Sequence, residues 1–379
     1  MKKQKFHSRL AATANKTLSF LRDSQRLLPL GLACGLPQLL RAENHVDYRY
    51  EYYGEENDRM KIETHSVYFE QKLSDAVTAK GELVYDSISG ATPVGTRDAS
   101  NVSHLRDARW ATSLGLDFAF KKHLLTPGYA YSKENDYESQ GISLNDAINF
   151  NDKNTVLQLG VAHNFDSVRD TDGANWRGKD TTEALIGLSQ LLTPSTVVSA
   201  NFTFGYEDGY LRDPYRLATF DTFGFAFNEV RPGYKSKEVA LVSVTQYFDR
   251  LHASIEGSYR YHHDSFQIDS HTIELTWHQR LGQRFIVEPM FRFYNQDAAY
   301  FYAAGFPGIT PSGGNFSSDY RLSNFYSLDY GLQATVIVTD WLRFTAGYHR
   351  YEMTGRDGST DPKMYPKANI FTFGFSILW

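Results

Sequence analysis

From His45 to the last residue, apolar and polar side chains alternate with a period of two, and this alternation constrains the fold more than any other feature of the chain. Successive side chains of an extended strand point to opposite faces, so the pattern gives each strand one apolar and one polar side. The last segment shows it best. Phe371, Phe373, Phe375, Ile377 and Trp379 share one face, and Thr372, Gly374 and Ser376 share the other. Val46, Tyr48, Tyr50 and Tyr52 alternate likewise with Asp47, Arg49 and Glu51. The pattern recurs from Trp110 to Phe120, Val198 to Tyr206, Ala253 to Tyr261 and Ile273 to Trp277, with Glu256, Arg260, Glu274 and His278 among the interleaved residues. Burying such groups between two packed sheets is costly unless each is paired, whereas a wet lumen removes the cost. The expected fold is therefore all-β, a single transmembrane antiparallel β-barrel.

Composition agrees with that reading. Aromatic residues make up 15% of the chain, with 25 Tyr and 26 Phe, yet the mean hydropathy is only -0.45. That value excludes a bundle of transmembrane helices, while strands that are greasy on one side only average out in this way.

Connections alternate between short and long. Short ones fall at Ser74 to Ala76, Lys121 to His123, Asn151 to Asn154, Thr193 to Ser195, Asp249 and Arg250, Gly282 to Arg284, and Thr339 and Asp340. Long ones are expected near 88 to 107, 168 to 180, 207 to 237, 297 to 321 and 352 to 366. Short periplasmic turns and long extracellular loops then connect about 16 strands, or 14 if the weakly patterned segments 124 to 135 and 137 to 150 are not strands. Either even number places both termini in the periplasm.

The first 42 residues read as a signal or export segment. They hold eight Lys or Arg against one acidic residue, and Leu27 to Leu40 is the one sustained apolar run. Leu40-Arg41-Ala42-Glu43 offers a cleavage site after Ala42, and the run is too short for a comfortable membrane helix. Residues 43 to 379 form the barrel domain. The only cysteine, Cys34, lies in the export segment, where lipidation is the rival reading, so disulfides are excluded from the mature chain. Removing the basic head leaves 31 positive and 43 negative residues, a net charge of -12. So acidic a surface argues against nucleic acid as partner.

A further set of motifs comprises Asp86-Ser87-Ile88-Ser89-Gly90-Ala91-Thr92-Pro93, Asp136-Tyr137-Glu138-Ser139, Phe150 to Thr155, Gly205 to Tyr210, Asp213-Pro214-Tyr215, Ser318 to Ser323 and Tyr351 to Gly358. Together they resemble an uncharacterised family of Gram-negative outer-membrane β-barrel proteins, a domain of unknown function. The resemblance implies a barrel in a Gram-negative envelope. It implies no substrate and no catalytic residue.

Two groups of residues are candidates for function. Lys61, Glu63, Lys80, Glu82, Glu256, Arg260, Glu274, Arg292 and Arg343 are expected to face the lumen, where opposed charges would orient a small polar solute. Asp86, Asp136, Asp208, Asp213, Asp264, Asp319, Arg321, Arg356 and Asp357 are expected at the extracellular rim, as a selective mouth or as a network that holds the loops together. His262, His263 and His271 invite a metal reading, but adjacent strand residues point apart, so no metal and no cofactor are expected. His163, His263 and His271 fall on the lipid side, and a lipid hydrolase on the barrel wall is the minor alternative. No G-x-S-x-G, H-E-x-x-H or Walker loop marks an enzyme.

The leading expectation is a porin-like channel for small polar solutes. The alternative is an occluded barrel that docks another envelope component, and the two differ in whether the loops 207 to 237 and 297 to 321 fold inward or stand out. Phe220, Phe223, Phe225, Phe301, Tyr302 and Phe306 suit either arrangement. Expected partners are outer-membrane lipid and the barrel-assembly machinery, the latter through the strand ending at Trp379. The sequence specifies neither the solute nor an oligomeric state.

Overall fold

The structure is a computed structural model. The structure describes residues 44 to 379 except 58, 94 to 101, 171, 172, 174, 214, 221 to 224, 309, 310 and 312, and leaves out the side chains of 102 to 105. The export segment with Cys34, and Phe223, lie outside the described residues.

Eighteen strands follow in chain order. The first nine are β1 (His45–Glu55), β2 (Lys61–Lys72), β3 (Val77–Pro93), β4 (Val102–Phe120), β5 (His123–Lys133), β6 (Tyr137–Phe150), β7 (Thr155–Arg169), β8 (Trp176–Thr193) and β9 (Thr196–Gly209). Then come β10 (Leu217–Phe220), β11 (Phe225–Asn228), β12 (Tyr234–Phe248), β13 (Ala253–Asp264), β14 (Asp269–Leu281), β15 (Phe285–Gln296), β16 (Phe325–Ile337), β17 (Leu342–Gly355) and β18 (Lys367–Leu378). All except β10 and β11 form one closed barrel of sixteen antiparallel strands, sealed by β1 pairing with β18. The segments that left fourteen strands open are β5 and β6, each paired along its length with its neighbours.

Closure satisfies the backbone hydrogen bonds of every barrel strand and leaves no edge, which is what allows strands to cross a membrane. The side chains are arranged inside out relative to a soluble protein. Leu114, Ile142, Val161, Ile186, Leu188, Leu275 and Phe373 are exposed on the outer face, while polar residues such as Asn164, Thr181, Ser199 and Thr276 are buried inside. Aromatic rings gather toward both ends of the outer face, including Phe248 stacked on Trp277 at 5.8 Å and Tyr85 beside Trp110 at 4.6 Å. An apolar outer band between aromatic girdles fits a bilayer, and the protein is an outer-membrane barrel.

The seven short connections fall together at one end, here the turn end. The other end, the loop end, carries the two long connections 210 to 233 and 297 to 324. Glycine at 209 lets β9 break into the first of these. Its φ is +113°, and a Cβ there would lie 2.4 Å from the carbonyl oxygen of Gly178. The hairpin of β10 and β11 lies within this connection, outside the barrel sheet.

Candidate solute path and loop cap

Alternation decides which side chains reach the lumen. Lys80, Glu82, Glu256, Arg260, Glu274, Arg292 and Arg343 occupy inward positions of β3, β13, β14, β15 and β17. Lys61 and Glu63 do not. They share a face of β2 with exposed Val67, and Glu63 sits between Tyr52 and Ser87, so both point outward. Sequence reasoning took charge as the mark of the lumen. Near the loop end, however, the outer face emerges from the hydrocarbon and accepts charge.

The lumen wall is asymmetric. Strands β5 to β7 contribute Gly128, Ala130, Gly141, Ser143, Gly160 and Ala162 to its middle, which leave room. Toward the loop end, β7, β8, β9 and β12 carry a closed ionic ladder that the sequence reading missed. Lys237 bridges Glu183 at 2.7 Å and Glu207 at 3.5 Å, Lys179 lies 3.9 Å from Glu207 and 3.8 Å from Asp166, and Tyr137 donates to Asp166 at 2.5 Å. Lys179 and Glu183 stand four apart on one strand face, a signal that could have flagged them. Lys80 is held by Asp117 at 2.8 Å, and Asp86, which faces the lumen rather than the rim, is held by Arg109 at 2.5 Å and Thr64 at 2.6 Å. On β13 to β15 the pattern differs: among the described residues Glu256, Arg260, Glu274 and Arg292 make no hydrogen bond or ion pair, and Arg292 Nε and Glu274 Oε2 are buried without a partner.

Over the loop end lies a cap built from the two long connections. Phe220 packs against Phe306 at 5.2 Å and Phe316 at 5.2 Å, and Val230 and Phe316 exchange backbone hydrogen bonds. Tyr320 enters the lumen side, where it packs in a cluster with Met353, Met364 and Tyr365 beside Tyr294 and Tyr351 of the barrel wall. The cap also crosses the mouth. Arg216 donates to the carbonyl of Pro93 and, at 3.2 Å, to Thr92 at the end of β3, six strands around the barrel from β9. Tyr215 donates to Asp136, and Tyr302 binds Thr360 and Asp357 of the connection between β17 and β18. The loops therefore fold inward and across.

Six charges cluster at the centre of the cap, three of each sign, with the three carboxylates and Arg216 buried. Arg321 binds Asp319 at 2.5 Å and also Asp213; Arg231 binds Asp319 at 2.9 Å and Glu229 at 2.7 Å; Arg216 lies 3.8 Å from Asp319. Glu229 is fully buried, and also accepts from Ser317 at 2.5 Å and from the Asp213 backbone N–H at 2.7 Å. Burial alone would raise the carboxylates. For Asp213 and Asp319 the guanidinium groups of Arg321 and Arg216 outweigh it and hold both below the usual range, whereas burial keeps Glu229 raised despite Arg231.

The remaining rim candidates scatter. Asp264 is buried at the end of β13 with Lys235 at 3.0 Å and His262 at 3.2 Å. Arg356 lies over the Tyr326 ring, and Asp208 points outward on β9, exposed and away from the mouth cluster. Asp107, Glu134 and Asp136 each bring an oxygen within 4.8 Å of the others, although Asn135 and Tyr215 already donate to two of them. His262 faces inward, and His263 and His271 face outward onto Asp269 and Tyr259, so the three share no ligand position. On the outer wall His163 meets Thr182 at 2.8 Å and Asp180 at 3.8 Å. The strand N–H groups around this pair belong to the barrel ladder and are not free to stabilise an oxyanion.

Comparison with known proteins adds a family. The model of a family described as a protein of unknown function (DUF3570) matches residues 33–105, 102–177 and 169–378. No curated protein matches the chain. Among solved structures, it is similar to a bacterial polysaccharide outer membrane secretin, at a TM-score of 0.46 and 10% identity over 90% of this chain and 99% of that one. It is also similar to OmpT, an outer membrane protein of Vibrio cholerae, at 0.45 and 11% over 90% and 99%. A third is the siderophore receptor PirA from Pseudomonas aeruginosa, at 0.45 and 10% over 89% and 63%.

Proposed function

The chain belongs to the DUF3570 family of proteins of unknown function, and from its geometry we propose that it is an outer-membrane channel for small polar solutes, narrowed at the loop end by the cap. The observation that carries this reading is the set of charged side chains on the lumen wall that make no hydrogen bond or close ion pair. Ionised groups without partners are stable only in water, since moving such a charge into a dry interior costs far more than a fold can supply. Glu256, Arg260, Glu274 and Arg292 therefore call for a hydrated lumen. Sixteen strands enclose enough width for water and a small solute, and the small residues of β5 to β7 face the charged wall.

The cap favours a second reading, a barrel shut at rest that docks an envelope component. It has its own buried core and it ties distant strands together. Conductance separates the two. The full chain refolded into a planar bilayer should pass discrete ion currents, and deleting residues 217 to 228 should raise them. A folded barrel that stays silent in both forms contradicts the channel and favours docking.

A further inference from the structure

The inward groups of β13 to β15 are ordered along the lumen. Arg260 lies in register with Thr272 and Tyr294, nearest the loop end. One rung toward the turn end, Arg292 stands between Glu274 and Asp329 on the neighbouring strands. One rung further, Glu256 is level with Thr276 and Met290. Successive rungs are two residues apart, about 7 Å along the strand. Arg260 thus lies toward the loop end and Glu256 toward the turn end, with Arg292 and Glu274 side by side on the rung between them. None of the four makes a hydrogen bond or an ion pair among the described residues, although Glu274 and Arg292 attract each other across their rung, in contrast to the paired ladder on β7, β8, β9 and β12.

A solute with a single charge meets this wall badly. An anion drawn to Arg260 and Arg292 must then pass Glu274 and Glu256, and a cation meets the reverse. A solute bearing both charges, a few ångströms apart, satisfies both pairs at once. We propose that this wall is a binding station for a small zwitterion carrying one carboxylate and one ammonium group. Its carboxylate is taken by Arg260 and Arg292, with the planar fork that guanidinium offers to carboxylate, and its ammonium by Glu274 and Glu256. The small side chains of Gly128, Gly141 and Ala162 across the lumen leave the space that a solute on this wall occupies. The inference rests on the channel reading and adds to it the class of solute.

The test uses the full chain in a planar bilayer under potassium chloride, with glycylglycine as the zwitterion, N-acetylglycine as the matched anion and glycinamide as the matched cation. Glycylglycine should interrupt the current at a concentration about 10-fold lower than either single-charge probe, and Arg292→Gln and Glu256→Gln should each remove about 10-fold of that advantage. A conducting barrel that treats the three probes alike, or whose preference survives both substitutions, overturns the zwitterion station and leaves the channel standing. A barrel that conducts under no condition removes the channel reading and the station with it.

Discussion

Asp319 is the residue on which the cap turns. It is buried and shared by Arg216, Arg231 and Arg321, so its loss leaves three guanidinium groups facing two carboxylates. Removing one member of a buried ionic set typically costs about 3–5 kcal/mol. Asp319→Ala is therefore expected to loosen the cap without opening the barrel, seen as faster protease cleavage within 210 to 233 at unchanged heat-resistant mobility; unaltered cleavage would contradict the role. Acid should act on the same cluster. Asp213 and Asp319 have depressed folded values, so their contribution is complete above the unfolded carboxylate value of about 4 and is lost as pH falls through the lower folded values. Glu229 works in the opposite sense, because its raised value makes its contribution complete in acid and lost as pH rises through it. With two depressed groups against one raised, the cap should become protease-sensitive below about pH 4 and stay closed at neutral pH. Equal cleavage at pH 3 and pH 7 would count against this.

At the scale of elements, the strands were legible because period two survives wherever one face meets lipid and the other water. Even β5 and β6, patterned weakly by Gly128, Gly141 and their small neighbours, take their place once both flanking strands need partners. Facing was less secure at strand ends, where Lys61 and Glu63 carry charge on the outer face. In the middle of a strand the rule holds strictly: Leu275→Arg, on the lipid face, should cost about 2–4 kcal/mol in urea unfolding from vesicles, and a cost near zero would misplace that face. The cap could not be read in the same way. Arg216, Glu229 and Arg231 lie in aperiodic sequence, and the two arginines meet Asp319, and Glu229 meets Ser317, from roughly a hundred residues away, through contacts that no local pattern encodes. The hairpin of β10 and β11 is too short to show alternation, although Phe220 and Phe225 had marked the segment as either plug or patch.

For the whole molecule, architecture and membrane placement follow from composition and periodicity, while function depends on what the loops do to the lumen. A sixteen-stranded wall with charged side chains free of hydrogen bonds at mid-height and a cross-linked cap at one end is the arrangement from which the proposed wet passage under a cover is read. The most direct test is single-channel recording of the refolded full chain beside a variant lacking residues 217 to 228. Discrete currents from the full chain that grow several-fold in the variant are the predicted result. Silence from both, in barrels shown to be folded, would contradict the channel.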